Sequence, residues 1–312
     1  GCMGMSDFYG PADRKESIAT IHAALDAGVT LLDTGDFYGM GHNEMLIAEA
    51  LTSVPRDKVI LSVKFGSTRD PSGQWTGSDS RPVAIKNFLA YTLKRLKVDH
   101  VDIYRPSRLD PNVPIEETMG TIADLIRAGY IRHAGLSEVG SETIRRAAAV
   151  CPIADLQIEY SLAVRQIENS ILKTCEEMKI GITAYGVLAR GLISGHWNHS
   201  RLADKDSRKI ATRFQAENLD HNLAQVEQLR KFAKERGLTV AQLAIAFVLK
   251  QPLVMALVGA RTKERLKESL GASDYSLTDE DYKKLSALCL PGTFLGDRYA
   301  QQALAHLDSE KG

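Results

Sequence analysis

The sequence carries no excess of either charge: 39 lysines and arginines stand against 39 acids in 312 residues. Nothing in that balance draws the chain as a whole to nucleic acid or to an anionic membrane surface, although a local basic patch can still hold a phosphate. Cysteine is scarce. Cys2, Cys151, Cys175 and Cys289 show no Cys-x-x-Cys or Cys/His ligand spacing, which argues against a metal site or a disulfide scaffold and suits a reducing cytoplasm. No apolar run approaches the ~20 residues that span a bilayer, and the opening GCMGMSDF has neither the basic nor the apolar region of a signal peptide. There is no Gly-x-x-x-x-Gly-Lys-Ser/Thr loop, so nucleotide hydrolysis has no foothold. The best partial dinucleotide fingerprint, Gly39-Met-Gly41-His-Asn-Glu44, puts glutamate where the third glycine belongs.

What is present is alternation. Helical spacing over Lys15–Ala27 ends at Gly28, and a short apolar run then reaches Asp33; Glu44–Leu51 leads through Pro55 into the run Val59–Gly66. The same rhythm continues with helix Pro82–Leu96, strand Val101–Arg105, helix Ile115–Ala128, strand Ile131–Ser137, helix Ser141–Val150, strand Ala154–Tyr160, helix Ile167–Met178 and strand Ile180–Tyr185. After a charged insertion, His196 to Asn222, come helices Leu223–Glu235 and Val240–Lys250, strand Val254–Val258 and helix Lys263–Leu270. Such alternation means parallel strands joined by right-handed crossovers. The pattern predicts one (β/α)8 TIM barrel domain over residues 1–312, with Gly1–Met3 as the stub of a first strand lying largely upstream of residue 1. The polar stretch from Gly66 to Pro82, with Trp75 inside it, is too long for a mere connector and reads as a substrate-facing flap.

Barrels of parallel strands present chemistry at the carboxyl ends of those strands. Asp33 ends one strand, Tyr38 sits in the turn that leaves it, and Lys64 ends the next. Together they make a proton-donor set: a phenol is a poor acid at neutral pH, an adjacent ammonium lowers its pKa, and a carboxylate holds that ammonium charged. Singly, each has an ordinary structural reading as a cap, a surface aromatic or an ion-pair partner.

The runs LLDTGDFYG with His42-Asn43-Glu44, SVKFG, GLSEVG at 135–140, QIEYSL at 157–162, AYGVLARGLISG at 184–195, RFQAEN at 213–218 and LVGARTKERLKES at 257–269 resemble, in order and spacing, the aldo-keto reductases. The likeness extends from Gly1 to about Ala272. It implies a barrel that binds NADP(H) in an extended pose without a Rossmann domain, and that reduces aldehydes and ketones with an Asp, Tyr, Lys, His tetrad. Asp33, Tyr38 and Lys64 match its first three members, while Ser107 stands where the histidine would. A serine hydroxyl can donate one hydrogen bond but carries no charge, which suggests slow turnover or an unusual substrate. On the cofactor side the resemblance gives Ser137 and Gln157 to the nicotinamide carboxamide, with Glu138 in place of the usual asparagine, and Tyr185 to the stack beneath the ring. Gly186, Leu188, Arg190 and Gly191 fall in the loop for the pyrophosphate. Gly259, Arg261, Arg265 and Ser269 fall at the adenosine end, where Arg265 matches the arginine for the 2′-phosphate and so implies NADP(H) over NAD(H).

Phe8, Phe37 and Trp75 are the aromatic candidates for the substrate mouth, and the tail from Thr293 to Tyr299 could close over it. RFQAEN reads equally as a solvated loop with a helix cap and as a cofactor clamp. The expected partner is a small carbonyl compound, with no nucleic acid, membrane or metal; the oligomeric state stays open. Two other functions remain beside the reductase: a nucleotide-binding, redox-sensing or regulatory subunit with weak reductase activity, and a barrel that binds sugar or phosphate without nicotinamide.

Overall fold

In the computed structural model, residues 1–197, 206–304 and 307–310 are described; the remainder of the charged insertion, residues 198–205, lies outside them. Seven parallel strands form one curled sheet in chain order: β1 (Leu31–Gly35), β2 (Ile60–Phe65), β5 (Val101–Pro106), β6 (Ile131–Ser137), β7 (Ile153–Glu159), β8 (Gly181–Tyr185) and β9 (Val254–Ala256). Between β2 and β5 an antiparallel hairpin, β3 (Ser67–Arg69) and β4 (Trp75–Ser78), occupies the stretch expected to be an open flap. Gly1 and Cys2 fill the eighth position. The Gly1 nitrogen donates to the Val258 carbonyl at 3.0 Å and the Cys2 amide to the Asp33 carbonyl at 2.9 Å, bridging the last strand to the first. Met3 already belongs to a 3₁₀ turn, Met3–Met5, so the strand-like part of the stub stops at Cys2.

The crossover helices are α1 (Arg14–Asp26), α2 (His42–Ala50), α3 (Pro82–Leu96), α4 (Ile115–Arg127), α5 (Ser141–Val150) and α6 (Ile171–Met178), followed by α7 (Ala216–Lys234), α8 (Val240–Leu249) and α9 (Lys263–Leu270). Then come α10 (Asp279–Leu288) and the short α11 (Gln301–Leu304), neither of which the strand-helix rhythm predicts. Helix α7 begins well before Leu223 because RFQAEN supplies its entry: the Asn222 amide donates to the Arg213 and Leu295 carbonyls and fixes the turn against the C-terminal segment.

Strand residues alternate between two faces, and here that alternation sorts them by chemistry. Leu61, Val63 and Phe65 of β2 and Leu156 and Ile158 of β7 are buried among the apolar core residues. Ser62 and Lys64, and Asp155, Gln157 and Glu159, take the other face. Parallel register aligns Asp33 with Ser62, Lys64 with Arg105, Ser137 with Gln157 and Glu159 with Tyr185. The barrel lumen is therefore charged where the outer strand face is apolar.

Candidate active site

The floor of the site is a hydrogen-bonded network centred on Asp33. Lys64 Nζ donates to Asp33 Oδ1 at 2.5 Å, while Ser62 Oγ at 2.9 Å and Gln157 Nε2 at 2.7 Å donate to Oδ2. Behind it the fully buried Arg105 reaches Asp33 Oδ2 at 3.5 Å and grips both oxygens of Asp155 at 2.7 and 2.8 Å; Thr183 Oγ1 donates to Asp155 at 2.6 Å. Gly135 makes this possible, since a Cβ there would lie 2.6 Å from Asp155 Oδ1 and 2.8 Å from Arg105 Nε. Burial alone would raise the Asp33 carboxyl, but the Lys64 ammonium and then the Arg105 guanidinium outweigh it and hold the acid below the ordinary carboxylate range. The Lys64 ammonium is lowered, first by burial and then by the charge of Arg105, against the opposing pull of Asp33.

Tyr38 lies over this floor, buried, with Lys64 Nζ 5.2 Å from its ring centre. Its phenol is pushed well above the ordinary tyrosine value, first by burial, then by the negative charge of Asp33 and by Tyr299. This reverses the expectation of a lowered phenol: desolvation disfavours a phenolate and the Asp33 charge adds to it, so the nearby Lys64 ammonium does not bring the value down. The turn that holds Tyr38 is pinned by Asn43, whose Oδ1 accepts from Thr34 Oγ1 at 2.7 Å and whose Nδ2 donates to the Cys2 carbonyl and to Ser6 Oγ, both at 2.8 Å.

Three aromatic residues gather around the phenol. Phe37 packs edge-on against Tyr38 at 4.8 Å between ring centres and Phe8 at 6.1 Å, and Trp75 lies 5.9 Å from Phe8 and 5.7 Å from Phe37. Arg69 covers Trp75 at 3.9 Å. Asp7 ties these segments together, accepting from Gly39 N at 3.1 Å and pairing with Arg69 at 2.5 Å. Ser107 is buried behind the cluster with its Oγ 2.5 Å from Ser67 Oγ.

The residues assigned to the nicotinamide end are brought together, but the side chains of Gln157, Glu138 and Tyr185 are engaged within the chain. Ser137 is buried beside Gln157, whose amide is turned to Asp33. Glu138, in the left-handed backbone region at φ 53°, accepts from Glu159 N, from Tyr185 Oη at 2.7 Å, from Ser309 Oγ at 2.7 Å and from both terminal nitrogens of Arg298 at 2.9 and 2.6 Å. Tyr185 Oη also lies 2.8 Å from Tyr299 Oη.

At the phosphate end the chain is better suited to an anion. Gly186 and Gly191 adopt φ of 67° and 92°, and Ala189 and Arg190 between them are left-handed too. This curls the loop, with the amides of Ala189 and Gly191 bonded back to Gly186 and Leu188. The Arg190 guanidinium faces the Tyr299 ring at 4.3 Å, and Arg213 Nε donates to the Gly296 carbonyl at 3.2 Å; among the described residues neither forms an ion pair. Two guanidinium groups with no ion pair among the described residues offer the donors that suit a diphosphate. Farther out, Arg265 is paired with Glu268 at 3.1 Å and half-exposed, whereas Arg261 donates to the carbonyls of Tyr9 and Pro11 and so braces the N-terminal loop. Gly259 packs against Gly1, and Ser269 lies on the same helix as Arg265. A cavity of about 340 Å³ opens beside them, lined in part by His196, Arg230 and Glu268.

Local spacing does not single out Asp7, Arg105, Asp155, Glu159 or Arg298. The alternations Leu61-Ser62-Val63-Lys64-Phe65 and Asp155-Leu-Gln157-Ile-Glu159 are the sequence signals of a polar lumen. Among the described residues no cluster could hold a metal ion, and no helix is long and apolar enough to cross a membrane.

Comparison with known proteins agrees in family. Residues 1–289 match the model of the aldo/keto reductase family. The chain is 38% identical over 303 residues to a probable aldo-keto reductase 1 of Glycine max, covering 96% of this chain and 87% of that protein. It is 35% identical to an aldo-keto reductase of Schizosaccharomyces pombe named for NADP(+), covering 96% and 90%. Among solved structures, a glycerol dehydrogenase from Gluconobacter oxydans superposes with a TM-score of 0.82 at 33% identity, covering 90% of this chain and 87% of its own. An aldo/keto reductase from Klebsiella pneumoniae in complex with NADP and acetate gives 0.71 at 26%, covering 89% and 86%.

Proposed function

The chain belongs to the aldo/keto reductase family, and on that premise we propose that it is an NADP(H)-dependent oxidoreductase that reduces aldehydes or ketones to alcohols, with Tyr38 as the proton donor. One observation carries the reading: a buried ammonium, held at 2.5 Å by Asp33, sits under the phenol of Tyr38 at the floor of an aromatic mouth. NADPH bound here would supply the hydride; Arg190 and Arg213 would hold its diphosphate, Arg265 its 2′-phosphate, and Tyr185, Ser137 and Gln157 its nicotinamide. Phe8, Phe37 and Trp75 exclude water around the reacting carbonyl, which keeps the phenol a hydrogen-bond donor to the carbonyl oxygen. Because its pKa is raised, Tyr38 is protonated throughout the neutral range and ready to give that proton as negative charge develops on the oxygen. Lys64 then stabilises the phenolate left behind, and Asp33 keeps Lys64 in place.

Replacement of Tyr38 by phenylalanine tests this. The expected result is a loss of about 10²–10⁴ in turnover of simple aldehydes, with NADPH affinity, read by fluorescence titration, within about a factor of two. An unaltered rate removes Tyr38 as the acid. A second reading, a nucleotide-binding subunit with weak reductase activity, draws on the uncharged Ser107–Ser67 pair where an imidazole would stand. It is supported if NADPH binds but no carbonyl compound accelerates its loss above background.

A further inference from the structure

Resting on the cofactor reading above, we infer that Glu138 is a guanidinium receptor for the chain's own C-terminal strap, and that Arg298 and Tyr299 occupy the nicotinamide subsite until the dinucleotide displaces them. A carboxylate offers about four lone-pair sites. Glu138 takes five donors: Arg298 twice, Ser309, Tyr185 and the amide of Glu159. No acceptor position is left for a carboxamide N–H. The occupation is also specific. Arg298 is buried, and besides its fork on Glu138 it reaches Glu159 at 3.2 Å and Glu310 at 2.7 Å, so the strap is clasped on both sides of the guanidinium.

Tyr299 completes the displacement of the ring. Its hydroxyl lies 2.8 Å from that of Tyr185, the residue assigned to the stack beneath the nicotinamide, and its ring is covered by Arg190 at 4.3 Å, one of the two guanidinium groups assigned to the diphosphate. Arg108, next to Ser107, lies 5.8 Å from the same ring and reaches its hydroxyl at 3.4 Å. The strap thus engages three side chains assigned to one ligand: Glu138 at its amide, Tyr185 at its ring and Arg190 at its diphosphate. At the strap's base, Asp308 Oδ2 accepts from Gly140 N at 2.9 Å and Ser309 N donates to the Glu138 carbonyl at 3.2 Å, which places the clasp directly at the end of β6. An asparagine at position 138 would serve a carboxamide but could not pair with a guanidinium. The glutamate and Arg298 therefore explain one another.

Two measurements on the full chain decide the matter. In hydrogen exchange with mass spectrometry on the wild-type protein, saturating NADP+ should speed exchange in residues 294–304 and expose the Arg298–Tyr299 bond to trypsin; unchanged or greater protection overturns the displacement. By fluorescence titration, Arg298→Ala and Glu138→Asn should each bind NADPH at least tenfold more tightly than wild type. Weaker binding in Arg298→Ala would mean that the strap clamps the cofactor rather than competing with it. The Glu138→Asn variant guards against misfolding, because it leaves no unpaired buried carboxylate and asparagine tolerates the left-handed backbone. Tight NADPH binding that neither variant alters overturns this inference alone, whereas no binding by wild type or variants removes the cofactor reading and this one with it.

Discussion

Glu138 shows how much one side chain's surroundings decide. Burial by itself would raise its carboxyl, but hydrogen bonds and charge from Arg298, then Arg108 and the hydroxyl of Ser309, bring it down to about 2. Glu159 and Tyr185 complete the groups facing it, and Glu310 shares Arg298. The folded value lies below the unfolded one, so the stabilisation is present above the ordinary glutamate range and is lost as pH falls through about 2. The difference of about two pH units corresponds to about 3 kcal/mol. Glu138→Gln should therefore lose less stability than wild type between about pH 6 and about pH 3 by urea unfolding. Parallel acid limbs would show that the pair contributes nothing to folding. Tyr38 makes the complementary point, since its position was legible in LLDTGDFYG but the direction of its pKa was not. The turn fixes where the phenol and its neighbour Phe37 are, whereas desolvation also depends on Phe8 and Lys64, which come from other segments.

Among the elements, the end of α10 depends on a residue from another part of the chain. Arg165 lies before α6 and donates to the carbonyls of Ser286 and Cys289, each at 2.9 Å, while Glu168 holds its other nitrogens at 2.8 and 2.9 Å. The last carbonyls of a helix have no partner within it, and a guanidinium answers two at once. Arg165→Ala should lower stability by about 2 kcal/mol, seen as a fall in the urea midpoint. Arg165→Lys should recover less than half of that, because an ammonium lacks the planar fork; full recovery would reduce the contact to simple charge. Helix α10 itself escaped the strand-helix pattern because it lies after the last strand. The hairpin β3–β4 escaped it because its residues are polar and its Trp75 is held by Arg69 rather than by a core.

On the scale of the whole molecule, the barrel is closed around charge. Arg105 of β5 and Asp155 of β7 meet over β6, in space that Gly135 leaves open. Removing one partner strands the other without solvent, so Asp155→Ala should cost about 3–5 kcal/mol, while replacing both by leucine should cost far less than the sum of the single changes. A double-mutant cycle by urea unfolding measures this; additive losses would mean that the two charges do not depend on each other. The same network supports Asp33 from behind, which links the stability of the lumen to the position of the proposed proton donor.

Sequence alone set the order of strands and helices, and with it the meeting of Asp33, Tyr38 and Lys64 at one rim, because each lies at or just beyond a strand end and parallel strands place those ends together. It set the family too, through short motifs whose spacing is local. Only the tertiary structure decided which distant groups pair: Gln157 turns to Asp33 across 124 residues and Arg298 to Glu138 across 160. Such pairs follow from register and closure, which bring inward-facing residues of different strands and the returning C-terminal segment into one small, water-poor space, where an unpaired buried donor is costly.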